Sequence, residues 1–454
     1  MRSMIRSSFK AAATAMAIAA LSFTTFAQLD GIAKGRAKDM LDAVAKEVKK
    51  KYYDENLKGI DLDARVKAAK ERINDAQSLA QAFGIIGQVF LDFDDSHTIF
   101  FPPARAIKFE YGWQVEMIGD KCVLTAVRPG SDAAKKGLKT GDEVLSINGF
   151  KPNRNELWKM VYFYYNISPR AEMSLVVKSP SGETRQVVSK TKTEKLTRFI
   201  NLGNSIDWNE YYRTISDESR VYEHRWVSNS GLVIWKMPTF SFDPNKVNDY
   251  FDSHVKGNHS LILDLRGNGG GYVVTMEKMV ANLFESDLKI ADLKRREDSD
   301  DDDDVMESES RGSDAYTGKL VILIDSGSGS ASEILARFVQ LKKRGTIIGD
   351  TSAGAVMQAI PTSFTMGVNT VIAYGARITN ADVILEDGKS LEKVGVTPDI
   401  VVIPEPADLA YERDPVLSRA AKELGFEITP EQAGGFFPVV WNDGKKGNVT
   451  YKAQ

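Results

Sequence analysis

The chain has 454 residues, of which 43% are hydrophobic and 27% are charged. This composition is ordinary for globular domains and excludes a fibrous, disordered or wholly membrane-embedded protein. The formal net charge is −3, so there is no surplus of basic side chains to neutralise nucleic-acid phosphates. Cys122 is the only cysteine and permits no intramolecular disulfide, so packing has to stabilise the fold. A role in nucleic-acid binding is therefore disfavoured.

The first 27 residues have the pattern of a secretory signal peptide. Basic residues precede the apolar stretch 11–23, and Thr25-Phe26-Ala27 supplies small residues at the cleavage positions. The apolar stretch is shorter than the roughly 20 residues that span a bilayer, which favours cleavage over a membrane anchor. We expect an exported protein, with a bacterial periplasm as its destination.

Apolar residues recur at helical spacing between Gly35 and Phe90. This periodicity predicts an N-terminal helical cap, which we assign to residues 28–103. The pattern ends in Asp92-Phe93-Asp94-Asp95-Ser96-His97, where short polar side chains compete for backbone hydrogen bonds and favour a turn. We therefore place His97 on a loop.

Two further regions follow the helical cap. Between Ile107 and Lys190, short strand-like runs alternate with glycines, and we assign residues 104–195 to a small separate domain. From Ser230 onward, apolar strands are followed by helices, which predicts an α/β core over residues 196–430. Residues 431–454 are assigned to a C-terminal tail.

An acidic insertion at residues 295–314 interrupts the core and contains the unbroken run Asp300 to Asp304. Mutual repulsion and the lack of apolar anchors predict a mobile surface segment. Calcium binding is the alternative, but a calcium site needs spaced ligands and a turn glycine, which a solid acidic run lacks. We predict no metal site in the chain.

A segment rich in glycine and serine lies between a predicted strand and a predicted helix. It reads Gly327-Ser328-Gly329-Ser330-Ala331-Ser332-Glu333 and follows the strand Val321 to Ile324. A serine at such a turn is exposed, and the first amides of the helix point outward, where they can hold an oxyanion. Such strings more commonly only cap a helix. The assignment of a nucleophile therefore needs support from elsewhere in the chain.

A second glycine-rich segment supplies that support. Leu263-Asp264-Leu265-Arg266-Gly267-Asn268-Gly269-Gly270-Gly271 places a run of three glycines, Gly269 to Gly271, shortly after a predicted buried strand. Glycine permits close approach of the backbone to a ligand, so the amides of Gly270 and Ala331 could form an oxyanion hole. A phosphate-binding loop is the alternative, but the lysine and hydroxyl of a nucleotide P-loop are missing.

The two segments together resemble the tail-specific, C-terminal processing family of serine proteases. Other family-like stretches are Tyr52-Tyr53-Asp54, Gly231 to Phe242 and Gly395-Val396-Thr397-Pro398-Asp399-Ile400, so the resemblance covers nearly the whole mature chain. It implies an α/β multidomain protein with a crotonase/ClpP-like protease core, a PDZ domain ahead of the core and the N-terminal helical cap.

The stretch from Pro129 to Gly149 resembles the signature of a PDZ domain, so the resemblance assigns residues 104–195 to that fold. The residues Tyr111, Gly112, Trp113, Gln114 and Val115 could form the turn and edge strand that receive a peptide by strand addition. The alternative is a PDZ domain that only packs against the protease and regulates it. The sequence leaves both alternatives open.

The general base differs from that of the best-known branch of the family. That branch uses a lysine downstream of the serine, but Ala355 stands at the matching position of Gly349-Asp350-Thr351-Ser352-Ala353-Gly354-Ala355-Val356. A serine hydroxyl without a base is a poor nucleophile near neutral pH. Another residue must therefore take its proton.

The tricorn-like branch pairs its serine with a histidine, and this chain resembles it in Ser96-His97-Thr98 and around Glu392. The resemblance implies that His97 deprotonates Ser330, while Glu392 acts through Ser96 to orient the imidazole. Glu333 is the alternative acidic helper, or else only a favourable charge in the first turn of its helix. The other histidines (His224, His254 and His259) lie outside the matching motifs and are assigned structural roles.

The predicted reaction is hydrolysis of peptide bonds in exported polypeptides through an acyl-enzyme formed by Ser330. It needs neither a metal nor an organic cofactor. The resemblance implies partly unfolded or peptide-sized substrates, entered from the C-terminus. The competing interpretation is a catalytically inactive PDZ-containing protein that binds peptides or acts as a scaffold. The intact Ser330, Ser96-His97 and two glycine loops argue against it.

Overall fold

The computed structural model describes residues 29–195, 208–216, 222–297, 304–367 and 371–441. The predicted signal peptide, residues 1–27, lies outside these ranges. Within them, no helix is both long enough and apolar enough to cross a membrane.

Three helices begin the described chain: α1 (Gly31–Lys51), α2 (Leu62–Asn74) and α3 (Leu79–Leu91). The residue before each helix has a side-chain oxygen that accepts a hydrogen bond from a first-turn amide, which stabilises the helix end; these residues are Asp30, Asp61 and Ser78. The apolar faces of the helices share one core with strand β1 (Ile99–Phe101). The segment that carries His97 therefore leaves α3 and leads directly into β1.

A small sheet domain follows. Its elements are β2 (Ile107–Glu110), β3 (Trp113–Ile118), β4 (Lys121–Val127), α4 (Asp132–Lys135), β5 (Glu143–Ile147), α5 (Leu157–Tyr162), β6 (Glu172–Lys178), β7 (Thr184–Lys190) and β8 (Lys192–Lys195). Strands β3 to β7 form an antiparallel sheet in chain order, and β2 pairs with β8. Strand β3 lies at the edge of the five-stranded sheet. A wider helical turn, Phe163–Ile167, continues α5.

The rest of the chain forms the core and its outer sheet. The elements are α6 (Trp208–Ser216), β9 (Arg225–Asn229), β10 (Leu232–Lys236), α7 (Asn245–Tyr250), β11 (Ser260–Asp264), α8 (Val273–Leu283), β12 (Leu288–Lys294), β13 (Val305–Ser308), β14 (Lys319–Ile324), α9 (Ala331–Leu341), β15 (Thr346–Gly349), β16 (Met357–Met366), β17 (Ile372–Leu385), β18 (Ile400–Val401), α10 (Pro406–Ala410), α11 (Pro415–Glu423) and α12 (Pro430–Gly434).

A six-stranded sheet in the order β18-β15-β14-β11-β10-β9 forms the centre of the core. All neighbouring strands are parallel except β9 and β10. Strands β10, β11 and β14 are almost continuous apolar runs because both faces of the sheet are covered. Helices α8 and α9 pack on one face, and α11 and α12 pack on the other. This arrangement confirms the predicted α/β core.

A second sheet connects the core to the N-terminal helices. It has the order β1-β17-β12-β13, and β16 also pairs with β17. The 14-residue strand β17 pairs with β1 through Ile99 and Arg377, and with β12 further along. The segment before β1, which carries His97, is thereby fixed against the core.

Part of the acidic insertion forms a strand, although the sequence predicts a mobile segment throughout residues 295–314. Residues 305–308 form β13, which pairs antiparallel with β12. Alternation buries Met306 and Ser308 while Val305 and Glu307 face outward. The prediction of a mobile surface segment over all of 295–314 is therefore wrong for this strand, and residues 298–303 lie outside the described ranges.

Gly349 ends β15 at a position that only glycine can occupy. Its φ is +134°, and a Cβ atom there would lie 2.0 Å from the carbonyl oxygen of Ile324. We expect Gly349→Ala to lower the free energy of unfolding by at least about 2 kcal/mol, because backbone strain adds to the clash. Urea unfolding monitored by circular dichroism measures this change.

The matched control is Gly35→Ala within α1, where no atom lies within 4 Å of the added methyl group. This change is expected to stabilise the protein by about 0.5–1 kcal/mol. Similar small effects of the two substitutions would contradict the assignment of strain to Gly349.

Candidate active site

Ser330 lies at the turn between β14 and α9, as the sequence predicts. Its φ of 53° and ψ of −120° are strained for a residue with a side chain. Its amide donates to the carbonyl oxygen of Ala355 at 2.9 Å and to Glu333 Oε2 at 3.0 Å. A Cβ atom on Gly270 would lie 2.7 Å from Ser330 Cβ. The glycine loop therefore approaches the serine more closely than any other residue type would permit.

Asn268 joins the two glycine-rich segments. Its carbonyl oxygen accepts hydrogen bonds from the Gly329 amide at 2.9 Å and from Ser332 Oγ at 2.8 Å. Its side chain is fully buried, and Nδ2 donates to the carbonyl oxygen of Met237 at 3.0 Å. Asn268 thus fixes the position of the glycine loop relative to the Ser330 turn.

The two predicted oxyanion donors differ in their availability. The Gly270 amide already donates to Asn268 Oδ1 at 2.9 Å. The Ala331 amide, at the first position of α9, has no acceptor in the described part of the chain. Ala331 is therefore free to bind an anion in this structure, whereas Gly270 must first release Asn268.

The structure brings Ser96, His97 and Glu392 together. Ser96 Oγ lies 2.6 Å from His97 Nδ1 and donates to Glu392 Oε2 at 2.9 Å, and the Ser96 amide donates to Glu392 Oε1 at 2.7 Å. Because Ser96 gives its proton to the carboxylate, its oxygen accepts from Nδ1–H of the ring. This arrangement assigns the ring proton to Nδ1 and leaves Nε2 with a lone pair, as a general base requires.

The surroundings keep His97 neutral. Removal from water, together with the cation of Arg377, lowers the pKa of His97 well below its usual 6.5. Arg377 Nε also donates to the His97 carbonyl oxygen at 3.1 Å. Burial raises the pKa of Glu392, while the hydrogen bonds from Ser96 act in the opposite direction. At neutral pH the imidazole is therefore in the form that can accept a proton.

The serine and the histidine lie on either side of one main-chain segment. Ala355, which replaces the lysine of the best-known branch, accepts the Ser330 amide through its carbonyl oxygen. The next amide, that of Val356, donates to Glu392 Oε2 at 2.9 Å. Among the residues that the structure describes, no hydrogen bond joins Ser330 Oγ to the His97 ring. Catalytic hydrogen bonds are often long without substrate and shorten when it binds.

Glu333 contacts the serine turn and not the histidine. Its side chain is fully buried and accepts hydrogen bonds from four donors: the amides of Ser330 (3.0 Å), Gly354 (2.7 Å) and Ala355 (2.9 Å), and Ser352 Oγ (2.5 Å). Burial raises the pKa of Glu333 to about 7, although these hydrogen bonds lower it. The sequence analysis did not predict these four hydrogen bonds or that Ser352 donates one of them. The serine followed three positions later by glutamate was the available signal.

The predicted peptide-binding residues lie beside a groove of about 150 Å³ between β3 and α5. Trp113, Gln114 and Val115 are on β3, and Tyr111 is buried and donates through its hydroxyl to the Tyr164 carbonyl oxygen at 2.7 Å. Gly112 forms the turn before β3 with a φ of +80°. Most of the groove is apolar, as a site for an apolar side chain requires.

The small sheet domain is hydrogen-bonded to both active-site loops. Ser326 Oγ, in the loop that leads to Ser330, donates to the Met117 carbonyl oxygen on β3 at 2.5 Å. Asp350 Oδ2 accepts from the Gly119 amide at 2.8 Å and forms an ion pair with Arg154. A cleft of about 700 Å³ lies between this domain and the core and reaches Gly267.

The remaining histidines lie elsewhere. His224 Nδ1 accepts from Trp235 Nε1 at 3.1 Å, and burial lowers the pKa of His224 to about 4. The His254 ring stacks on Trp226 with 4.1 Å between centroids, and His259 is exposed. In the described ranges, no group of three or more potential ligands is arranged to hold a metal ion.

Comparisons with known proteins show which proteins this chain is similar to. Residues 233–402 match the model of peptidase family S41. The chain is 25% identical over 348 residues to a chloroplastic C-terminal processing peptidase of Tetradesmus obliquus, covering 73% of this chain and 70% of that protein. It is 23% identical over 357 residues to the carboxy-terminal processing protease CtpB of Bacillus subtilis, covering 76% and 67%.

The fold is similar to that of mature CPAF, with a TM-score of 0.60 at 16% identity, covering 84% of this chain and 95% of that structure. At this identity the likeness concerns the fold alone. The family match and the two relatives confirm the resemblance that the glycine and serine segments carry. Over residues 233–402 the chain is thus similar to peptidase family S41, and the chain is a serine-type peptidase.

Proposed function

We propose that the protein is an endopeptidase that cleaves exported polypeptides through an acyl-enzyme, with Ser330 as nucleophile and His97 as general base. The observation that supports this proposal is the relay from Glu392 through Ser96 to His97, which lies across segment 352–356 from Ser330. In a catalytic triad the acid orients the imidazole and stabilises its charged form, and the half-buried Glu392 can do both through Ser96.

The reaction follows from these positions. His97 Nε2 takes the proton from Ser330 Oγ as the oxygen attacks the carbonyl carbon of the substrate. The Ala331 amide donates to the oxyanion, and the Gly270 amide joins it after exchanging Asn268 Oδ1 for the substrate oxygen. The imidazolium then protonates the leaving amine. Water, deprotonated by His97, hydrolyses the ester and restores the serine.

The charge that develops on His97 is stabilised through Ser96. Its Nδ1–H donates to Ser96 Oγ, whose own proton is held by the Glu392 carboxylate. The hydroxyl thus transmits the effect of the negative charge without direct contact between carboxylate and ring. Removing that charge would weaken the base, because a positive ring in a partly buried site needs compensation.

The domain organisation belongs to the same proposal. Residues 104–195 act as a PDZ domain that binds substrate peptides along β3, after residues 28–103 and ahead of the core. Relatives whose names describe C-terminal processing support substrates that enter by their C-terminal segments. The signal-like residues 1–27 support export to a periplasm.

The assignment of nucleophile and base is tested with unfolded casein. Ser330→Ala and His97→Ala are each expected to lower the initial rate of cleavage by at least about 10³-fold, because each removes a member of the reacting pair. Gel electrophoresis and release of acid-soluble peptides measure the rate. His259→Ala alters an exposed histidine away from the site and is the matched control.

Equal cleavage by all four proteins would contradict the mechanism. If the wild-type chain bound casein but never cleaved it, the scaffold interpretation would replace the proposal.

The peptide-binding role is tested in the groove. Val161 lines it from α5, and Val161→Asp is expected to weaken binding of a dye-labelled peptide with an apolar C-terminus by at least about 10-fold, since a carboxylate in an apolar groove loses hydration. Fluorescence anisotropy measures the dissociation constant. Lys151→Asp introduces the same side chain at an exposed position and is the control. Unchanged binding would favour a PDZ domain that only regulates.

A further inference from the structure

The Glu333 carboxylate is surrounded by donors alone. Oε1 accepts from Ser352 Oγ and the Gly354 amide, and Oε2 accepts from the amides of Ser330 and Ala355. Amide donors cannot turn away, so a protonated Glu333 would direct its O–H at another N–H unless Ser352 rotated to accept it. Ser352 Oγ already accepts from the Val396 amide at 2.6 Å. The geometry therefore fits the ionised form of Glu333.

Two carboxylates hold adjacent amides of segment 352–356. Glu333 binds the amides of Gly354 and Ala355, and Glu392 binds the amide of Val356. Glu333 also binds the amide of Ser330, whereas Glu392 binds Ser96 beside His97. The position of the serine relative to the base is thus transmitted through this segment.

We propose that Glu333 is a positioning residue for the reaction, because its ionised carboxylate holds the strained Ser330 turn against segment 352–356 and its protonation releases both. The proposal deepens the proposed function and rests on it. It replaces the two roles that the sequence left open for Glu333. The residue is not the helper of His97, and its four donors extend beyond the first turn of α9.

The expected pH dependence follows from the pKa values of Glu333 and His97. The pKa of Glu333 is raised to about 7, whereas the pKa of His97 is lowered well below 6.5. As the pH falls, Glu333 therefore gains its proton before His97 does. The acid limb of Ser330 reactivity is accordingly assigned to Glu333, with reactivity halved near pH 7, full well above it and lost well below it.

The neighbouring charges have partners of their own. Arg337 lies one turn along α9 and pairs with Asp387, and Asp350 pairs with Arg154. Glu392 and His97 lie across segment 352–356. In the ranges that the structure describes, none of these groups hydrogen-bonds to the Glu333 carboxylate, and the only donors to it are the four named above.

The experiment measures the rate at which a fluorophosphonate labels Ser330 in the full chain between pH 5 and 9, with casein cleavage in parallel. The wild-type rate is expected to fall to half near pH 7. Ser352→Ala removes one donor to Glu333, so its acid limb is expected to move upward by about 0.5–1 pH unit. A purely structural change at Ser352 would lower the rate without moving the limb.

Glu333→Gln sets an amide N–H₂ against backbone donors and is expected to lower labelling at pH 8 by at least about 10²-fold, with no limb near pH 7. Glu333→Asp keeps the charge and is expected to recover part of the rate. Glu307→Gln alters an exposed glutamate on β13 and is the matched control. If Glu333→Gln fails to fold, the limb of Ser352→Ala decides the question.

An acid limb that stays in place in Ser352→Ala would overturn the proposal, as would wild-type labelling by Glu333→Gln at pH 8. Labelling with the expected shift but without cleavage of casein would support the role of Glu333 and refute the proposed function. Absence of both labelling and cleavage in the wild-type chain would refute both.

Discussion

The arrangement of the site depends on two carboxylates, the buried Glu333 and the half-buried Glu392, that bind neighbouring amides of one main-chain segment. Taking an ionised carboxylate out of water costs several kcal/mol unless hydrogen bonds replace the lost hydration. Hydrogen bonds from four donors offset this cost for Glu333, and three donors offset it for Glu392. Segment 352–356 contributes donors to both carboxylates. A displacement of the segment would therefore break hydrogen bonds to both carboxylates. This constraint gives an irregular loop the rigidity that a catalytic geometry requires.

The parallel sheet explains why these groups meet. Strands β11 and β14 are parallel neighbours, so the glycine loop after one and the Ser330 turn after the other leave the same edge of the sheet. The proposed base comes from outside this sheet, because β1 pairs with β17 and fixes the His97 loop beside the core. Ser96 and Glu392, 296 positions apart, hydrogen-bond across that junction. Two sheets are thus needed to assemble one site.

The sequence predicted local features well and long-range pairing poorly. The strand-to-helix turn of Ser330 is marked by an apolar run, small residues and renewed helical spacing, and the structure confirms it. The predicted strand Val321 to Ile324 lies within β14. Strand β13 was missed because its alternation covers only four residues beside an acidic run. No local sequence pattern predicts that β1 pairs with β17, because the two strands lie far apart in the chain.

The site shows the same division between local and distant information. Motif resemblance named Ser96, His97 and Glu392, which hydrogen-bond to one another in the structure. It could not reveal that the Gly270 amide donates to Asn268, since that depends on one peptide orientation. The part of Glu333 was equally hidden, because a helix-capping carboxylate and a buried acceptor of four bonds have the same sequence pattern.

Segment 352–356 is also constrained from the small sheet domain. Asp350, two residues before it, is buried and paired with Arg154, whose guanidinium also donates to the carbonyl oxygens of Gly119 and Thr351. The loop that carries Ser330 has a similar contact, from Ser326 to β3. A displacement of this domain would therefore strain both loops, because each loop shares hydrogen bonds with it and with the buried carboxylates. The geometry of the reacting groups therefore depends on the small sheet domain and on the second sheet as well as on the core.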